Sequence, residues 1–462
     1  MTTALPTVES AGAVLRNRRF LALWIAQVVT QVGSNMVLFG LTVEVFHQTG
    51  KSTSVSLLIL AFLVPAVIFG AIAGVYVDRN DRRLVLVTTN AARGVLFLVL
   101  LLVRTDLALI YLLTVVISTL TTFFGPAEAA MIPVIVSKRQ LLSANSVYLL
   151  TLQASFFLGF ALIGPLVVNV AGPAWLLVFV AATYFVGAAL CLLLPANHPR
   201  TGASHPVEAL EEASTAVRTT FGQLVDGVHY MLDNRTIFWP LAYLALTASL
   251  IGVLGVLGPG FATHVLGLSE RDFVVVVLPL GLGLVMGILV LNVYGRFFSR
   301  RRGIEGGLVA LGLTLLALSL AQPIVTNLSL TVSLLSVVIV VAFAAGVAYA
   351  FVAVPAQTQL QEELPEAVRG RVFGVLNMLV SIASFLPIII VGPIADVVGT
   401  PVVVQGAAVV TLLVAVGSIL RAHPSHVGPA SEAVLFDAAD PVSLSGRSLL
   451  TPTPLDQQED DK

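Results

Sequence analysis

Apolar residues run along this chain in long blocks separated by short polar turns. The hydrocarbon core of a bilayer is about 30 Å thick and takes roughly 20 apolar residues of helix to cross. Blocks of that length predict twelve helices, over 20–46, 53–77, 84–103, 107–128, 145–170, 174–194, 237–262, 273–295, 304–322, 329–352, 373–395 and 401–421. A transmembrane barrel is excluded, because barrel strands alternate polar and apolar residues, and stretches such as Val95 to Val103 do not. The first apolar block reaches about Phe46, too long for a signal-peptide core, so it is expected to be retained as the first helix.

Composition agrees with this pattern. Hydrophobic residues make up 57% of the 462 residues and charged residues only 11%, with a mean hydropathy of +0.98. A soluble domain carries about 25% charged residues, so this surface must face lipid. The small net charge of −1 conceals an asymmetry. The segment 423–462 holds seven acids against Arg447 and Lys462, leaving a net of +4 in the remainder. Cys191 is the single cysteine, so no disulfide forms within the chain.

Lys and Arg in the short loops fix orientation. One side collects Arg16, Arg18, Arg19, Arg79, Arg82, Arg83, Lys138, Arg139 and Arg300 to Arg302, among others; the opposite side has Lys51, Arg104 and Arg271. Both termini are therefore expected in the cytoplasm. The longest internal connection divides the helices six and six. The expected organisation is a six-helix bundle over 1–195, a cytoplasmic linker over 196–235, a second bundle over 236–422 and an acidic tail over 423–462. The linker includes a candidate amphipathic helix around Phe221 to Leu232.

The halves echo one another. Pro126-Ala127-Glu128 recurs as Pro355-Ala356-Gln357, Ala154-Ser155-Phe156 as Ala383-Ser384-Phe385, and Gly164-Pro165 as Gly392-Pro393, at offsets of 229, 229 and 228 residues. Three matches at nearly one offset indicate a duplicated unit. Two parallel halves related by an axis along the membrane normal are a transporter architecture.

The turn between helices 2 and 3 reads Gly74-Val75-Tyr76-Val77-Asp78-Arg79-Asn80-Asp81-Arg82-Arg83. It resembles the signature G-x-L-A-D-R-x-G-R-R/K of the major facilitator superfamily. Gly74, Asp78, Arg79, Arg82 and Arg83 match, and Asp81 stands at the usual glycine. With FFGPAEAAMIP closing helix 4 and RGRVFGVLN opening helix 11, the chain resembles the drug-efflux branch that includes macrolide exporters and the enterobactin exporter. The resemblance covers roughly 15–421 and implies an all-α membrane fold of two pseudo-symmetric six-helix bundles. It implies a latch at the Asp78 loop that holds the cytoplasmic side closed in the outward-facing state. The other reading of these charges is simple retention of the loop in the cytosol. Antiporters of the superfamily carry G-x-x-x-G-P-x-x-G-G in helix 5; here Gly159, Gly164 and Pro165 match, but Val167 and Val168 replace the paired glycines. The arginine often found within helix 4 is also missing.

Ionisable residues inside a span are costly and are functional suspects. Arg93 lies about 14 Å into helix 3 from Leu84 at 1.5 Å per residue, and Glu128 sits at the expected end of helix 4 as its candidate partner. The pair serves either to hold the fold or to relay protons. Glu44, at the outer end of helix 1, reads as an interfacial carboxylate. Gln27, Gln31 and Asn35 recur at four-residue spacing on one face of helix 1. In the family, helices 1, 4, 7 and 10 line the central cavity, which makes this stripe a candidate substrate surface. Thr114, Ser118 and Thr122 repeat the spacing on helix 4, Tyr243 and Thr247 on helix 7, and Asn377, Ser381 and Phe385 on helix 11. Interhelical hydrogen bonding would use the same residue types.

Several fragments carry no chemistry. Thr49-Gly50-Lys51-Ser52 lacks the first glycine of a phosphate loop. His229 and Asp233 lack the spacing of a catalytic pair, and Gly283 and Gly287 fit helix packing. No Cys/His cluster points to a metal, and no cofactor, nucleic acid or enzymatic role is expected. The expected function is secondary transport of a hydrophobic or amphipathic small molecule out of the cell through a bacterial inner membrane. A monomer coupled to protons is the form that the resemblance implies. Alternatives are a lysophospholipid translocator, which would also need an apolar cavity, and a non-transporting receptor or scaffold acting through linker and tail.

Overall fold

The computed structural model describes residues 11–196, 235–295, 299–321, 333–363 and 369–420. The side chain of Asn377, most of the linker with His229 and Asp233, and the acidic tail lie outside the described residues. A short helical turn, Ala11–Leu15, precedes twelve helices that are long and apolar enough to cross a membrane. They are α1 (Arg18–Thr49), α2 (Ser52–Arg79), α3 (Arg82–Val103), α4 (Leu107–Ile135), α5 (Leu141–Ala171), α6 (Pro173–Cys191), α7 (Arg235–His264), α8 (Val274–Tyr294), α9 (Arg300–Ser319), α10 (Leu334–Glu363), α11 (Arg369–Val398) and α12 (Thr400–Leu420). A 3-10 turn, Glu270–Phe273, leads into α8. The described chain contains no strand. It is an all-α, multi-pass membrane protein.

Local chemistry starts these helices. Asn17 accepts from the N–H groups of Arg19 and Phe20 at the head of α1, and Asp106 accepts from Leu109 N–H at the head of α4. Such caps satisfy donors that a helix's own first turn leaves unpaired. Gly172 (φ 87°) and Gly399 (φ 90°) make the tight turns into α6 and α12, where a side chain would strain the backbone.

Two elements run differently from the sequence expectation. Pro126-Ala127-Glu128 does not end α4, which continues to Ile135, and α10 likewise runs past Pro355 to Glu363. In an apolar setting a proline is tolerated within a helix when neighbours re-satisfy the freed carbonyl, so proline alone was a poor stop signal. Glu128 consequently lies about 10 Å inside the helix end, at 1.5 Å per residue.

Within the first half α3 packs on α6 and α4, α2 on α4, and α1 on α5 and α6. Within the second, α10 packs on α8 and α9, and α7 on α10 and α11. The halves meet through α2 against α11 and α7, and α5 against α8. At the end away from the loop arginines the core is shared. Phe39 stacks on Phe273 with ring centres 4.8 Å apart, and Val55 and Ile59 of α2 cluster with Val256 and Ile388 from α7 and α11. At the arginine-bearing end, by contrast, each half has its own buried cluster. One is built around Phe20, Leu86, Met131 and Cys191, the other around Leu241, Leu308, Val352 and Ala415. Among the described residues the two halves thus share a core at one end and have separate cores at the other.

Candidate functional site

The deepest polar cluster sits inside the first half. Arg93 is 2% exposed. Its guanidinium donates to Asn90 Oδ1 (2.5 Å), Thr121 Oγ1 (3.3 Å) and the Thr89 carbonyl (3.2 Å). It also lies 4.6 Å from the ring centres of both Phe124 and Tyr184. Two aromatic faces and three neutral acceptors therefore hold this cation without a carboxylate. Asn90 and Arg93, three residues apart, share a face of α3.

Glu128, 1% exposed, is the nearest acid to Arg93, yet no ion pair forms. Neither carboxylate oxygen has a hydrogen-bond partner of good geometry. The Tyr148 hydroxyl of α5 and the guanidinium are its polar neighbours. Burying an ionised carboxylate without well-aligned donors is costly. The arrangement leaves Glu128 as a buried carboxyl group between a phenol hydroxyl and a guanidinium.

On α1, Gln27 is buried and donates to the Tyr148 carbonyl on α5 at 3.2 Å. Asn35 donates to the Gln31 carbonyl at 2.8 Å, and both side chains are half-buried. The helix opposite is α5, which adopts π-helical geometry over Phe157–Ile163. A Cβ at Gly159 would lie 2.7 Å from Asn35 Cβ, and one at Gly164 would lie 3.3 Å from Phe39 Cβ. The two glycines of the antiporter-like pattern therefore let α5 touch α1 beside the polar stripe. Single-turn π segments recur at functional sites.

The other stripes bond neighbouring helices or the carbonyls of their own helix. Ser118 donates to the Phe62 carbonyl of α2, and Thr114 is buried and bonds the Ile110 carbonyl. The Tyr243 hydroxyl meets Ser418 Oγ of α12 at 2.6 Å, and Thr247 bonds back to the Tyr243 carbonyl. Ser381 is exposed on α11. The structure joins Gln27 of α1 with Tyr148 of α5, and Tyr148 in turn neighbours Glu128.

In the loop between α2 and α3, Arg82 donates to the Ala130 carbonyl (2.9 Å) and Arg83 to the Leu192 carbonyl (2.6 Å), both in the same half. Arg82 also sits 4.0 Å from Asp78, whose side chain is 74% exposed. A Cβ on Gly74 would meet nothing within 4 Å. Asp81 takes up the N-cap of α3, accepting from Arg83 N–H at 2.9 Å. That role explains an aspartate where the signature carries glycine. Asp81→Ala is expected to lower the stability of purified protein by about 1 kcal/mol, read as a reduced melting temperature with transport retained.

The family model described as Major Facilitator Superfamily matches residues 23–388. The chain belongs to the major facilitator superfamily. It is therefore a membrane transporter and not an enzyme. Macrolide efflux protein A of Streptococcus pyogenes is 21% identical over 387 residues, covering 82% of this chain and 90% of that protein. Multidrug efflux pump Tap of Mycolicibacterium fortuitum is 25% identical over 393 residues, covering 81% and 88%. Among solved structures, the nucleoside transporter NupG matches with a TM-score of 0.64 at 14% identity, covering 87% of this chain and 98% of that one. A POT family transporter in complex with 5-aminolevulinic acid matches at 0.65 and 12%, covering 89% and 98%. These structures share the fold.

Within this major facilitator chain, sequence reasoning overlooked the partners of Arg93. Asn90 could have been found from its spacing on α3. Tyr184 and Phe124 come from two other helices and carry no sequence signal of that contact, nor does Tyr148 beside Glu128.

Proposed function

We propose that this transporter exports a hydrophobic or amphipathic small molecule by alternating access, coupled to proton entry through Glu128. The observation that carries the reading is the asymmetry between the two ends. The halves share one core at the end away from the loop arginines and keep separate cores at the arginine-bearing end. Arginine-rich loops stay cytoplasmic. On that orientation the conformation faces inward, in a bacterial inner membrane with both termini in the cytoplasm. A single chain supplies both halves, so the working unit is a monomer.

The exposed Asp78 and the unfilled space beside Gly74 fit the same state. A latch that closes the cytoplasmic side has to be disengaged while that side is open. Gln31 and Asn35, half-buried beside the π-helical stretch of α5, are the polar positions proposed to meet the solute. Gln27 positions α1 against α5. With no fixed charge among the three, an uncharged or amphipathic solute fits better than a compact dianion. The names of the two efflux relatives point to the same chemical class.

The test is accumulation of a panel of dyes and antibiotics, macrolides included, in cells with and without the protein. Lower accumulation of at least one compound, restored by an uncoupler, is expected. Unchanged accumulation across the panel counts against the export reading.

A further inference from the structure

We propose that Asp396 is an outer latch, a carboxylate from the second half that caps the first turn of α2 and holds the far end shut. The proposal rests on the alternating-access reading and adds a determinant of the equilibrium between its states.

The head of α2 needs such a partner. The first N–H groups of a helix have no acceptor within it, and Lys51, in the N-cap position, makes no side-chain cap. Asp396, two residues before the end of α11, supplies the acceptor instead. Its Oδ1 accepts from Ser52 N–H at 2.7 Å, and its Oδ2 accepts from Thr53 N–H at 3.0 Å and from the Thr53 hydroxyl at 2.5 Å. A carboxylate at a helix N-terminus is also favoured by the helix dipole. Three donors of one turn converge on one acid across 343 and 344 residues of chain.

Packing holds the acid there. One turn back, Gly392 lies so close to α2 that an added Cβ would be 2.7 Å from the Ser52 carbonyl oxygen and 3.0 Å from its carbon. One further turn back, Ile388 is buried against α7, over Gly252. The spacing of 388, 392 and 396 puts all three on one face of α11. That face is the seam between halves. Nearby, His47 Nδ1 and Glu270 Oε1, 2.8 Å apart, join α1 to the turn before α8.

The device is one-sided. The repeat that aligns Gly164-Pro165 with Gly392-Pro393 puts Val168 where the second half has Asp396. The α5 and α8 seam closes with apolar groups instead: Phe160 against Phe273, and Phe157 over Gly281. When the far end opens, α11 withdraws and the Ser52 and Thr53 donors pass from a carboxylate to water. Asp396 is exposed at its edge, so solvent is at hand to take them, and the latch is strong enough to bias the state while remaining releasable.

The experiment measures distances between spin labels in purified full-length protein. Cysteines at Thr105 and Leu335 report the far end, and at Lys138 and Arg302 the arginine-bearing end; all four positions are exposed. The buried Cys191 is retained, with a control carrying no added cysteine. Hydrogen bonds to charged groups predict that Asp396→Ala lowers the ratio of far-end-closed to far-end-open molecules by about tenfold. The far-end distance lengthens while the other shortens. Asp396→Asn, which keeps size and one acceptor, and Thr53→Val, which removes the hydroxyl donor, shift the ratio the same way by less. If wild type populates both states and all three variants keep its ratio, the latch is wrong and alternating access stands. If wild type shows one unchanging pair of distances with or without an exported compound, alternating access fails and the latch with it.

Discussion

A Glu128→Gln variant is expected to reach the membrane folded, to keep or raise its melting temperature, and to lose concentrative export. Both carboxylate oxygens of Glu128 are buried, with the Tyr148 hydroxyl and the Arg93 guanidinium as polar neighbours but no hydrogen bond of good geometry, and Arg93 is already satisfied by Asn90, Thr121 and two rings. Glutamine keeps the size of the side chain and removes the cost of burying a carboxylate charge. A purely structural Glu128 therefore predicts a stable and active glutamine variant. A proton-coupling Glu128 predicts a stable variant that lets substrate equilibrate but cannot concentrate it. Transport against a gradient, measured beside energy-independent counterflow, separates the two. Full concentrative export by Glu128→Gln would end the coupling role.

The second large effect is on assembly. α8 and α10 meet backbone to backbone. A Cβ on Gly346 would lie 2.8 Å from both the Leu280 carbonyl carbon and the Leu284 nitrogen. On the facing helix, one on Gly283 would lie 2.9 Å from the Phe343 carbonyl carbon, and one on Gly287 would lie 2.6 Å from Ala350 Cβ. Small residues permit this approach between membrane helices. Backbone cannot step aside as a flexible side chain can. Gly346→Val is expected to cost more than the about 1–3 kcal/mol typical of overpacking, and to leave little monodisperse protein on size-exclusion chromatography of detergent extracts. A normal yield and melting temperature would refute the close packing.

Much of this fold was legible because a bilayer imposes a simple rule on sequence. Long apolar blocks and sided arginines are visible without tertiary knowledge, and the twelve helices followed from them. The sequence also marked Gly283 and Gly287 as packing glycines. Helix ends were less legible. The expected ends at 128 and 352 fell short, because α4 and α10 continue through Pro126 and Pro355. The stripes show a related ambiguity: Ser118 and Tyr243 share their spacing with Gln31 and Asn35, yet their hydroxyls bond neighbouring helices. Spacing along one helix says which residues share a face, not what lies opposite. Asp396 was missed for that reason. Its role depends on α2 starting behind a lysine that cannot cap, and only folding brings those positions together.

The proposed transporter moves its solute by using a proton gradient. The most direct measurement uses purified protein in proteoliposomes with an imposed pH gradient, and a dye or antibiotic from the accumulation panel. Movement of the compound against its own gradient is expected, opposite in direction to the protons and abolished by a protonophore and by Glu128→Gln. Folded protein that moves the compound equally well with and without the gradient would contradict proton coupling.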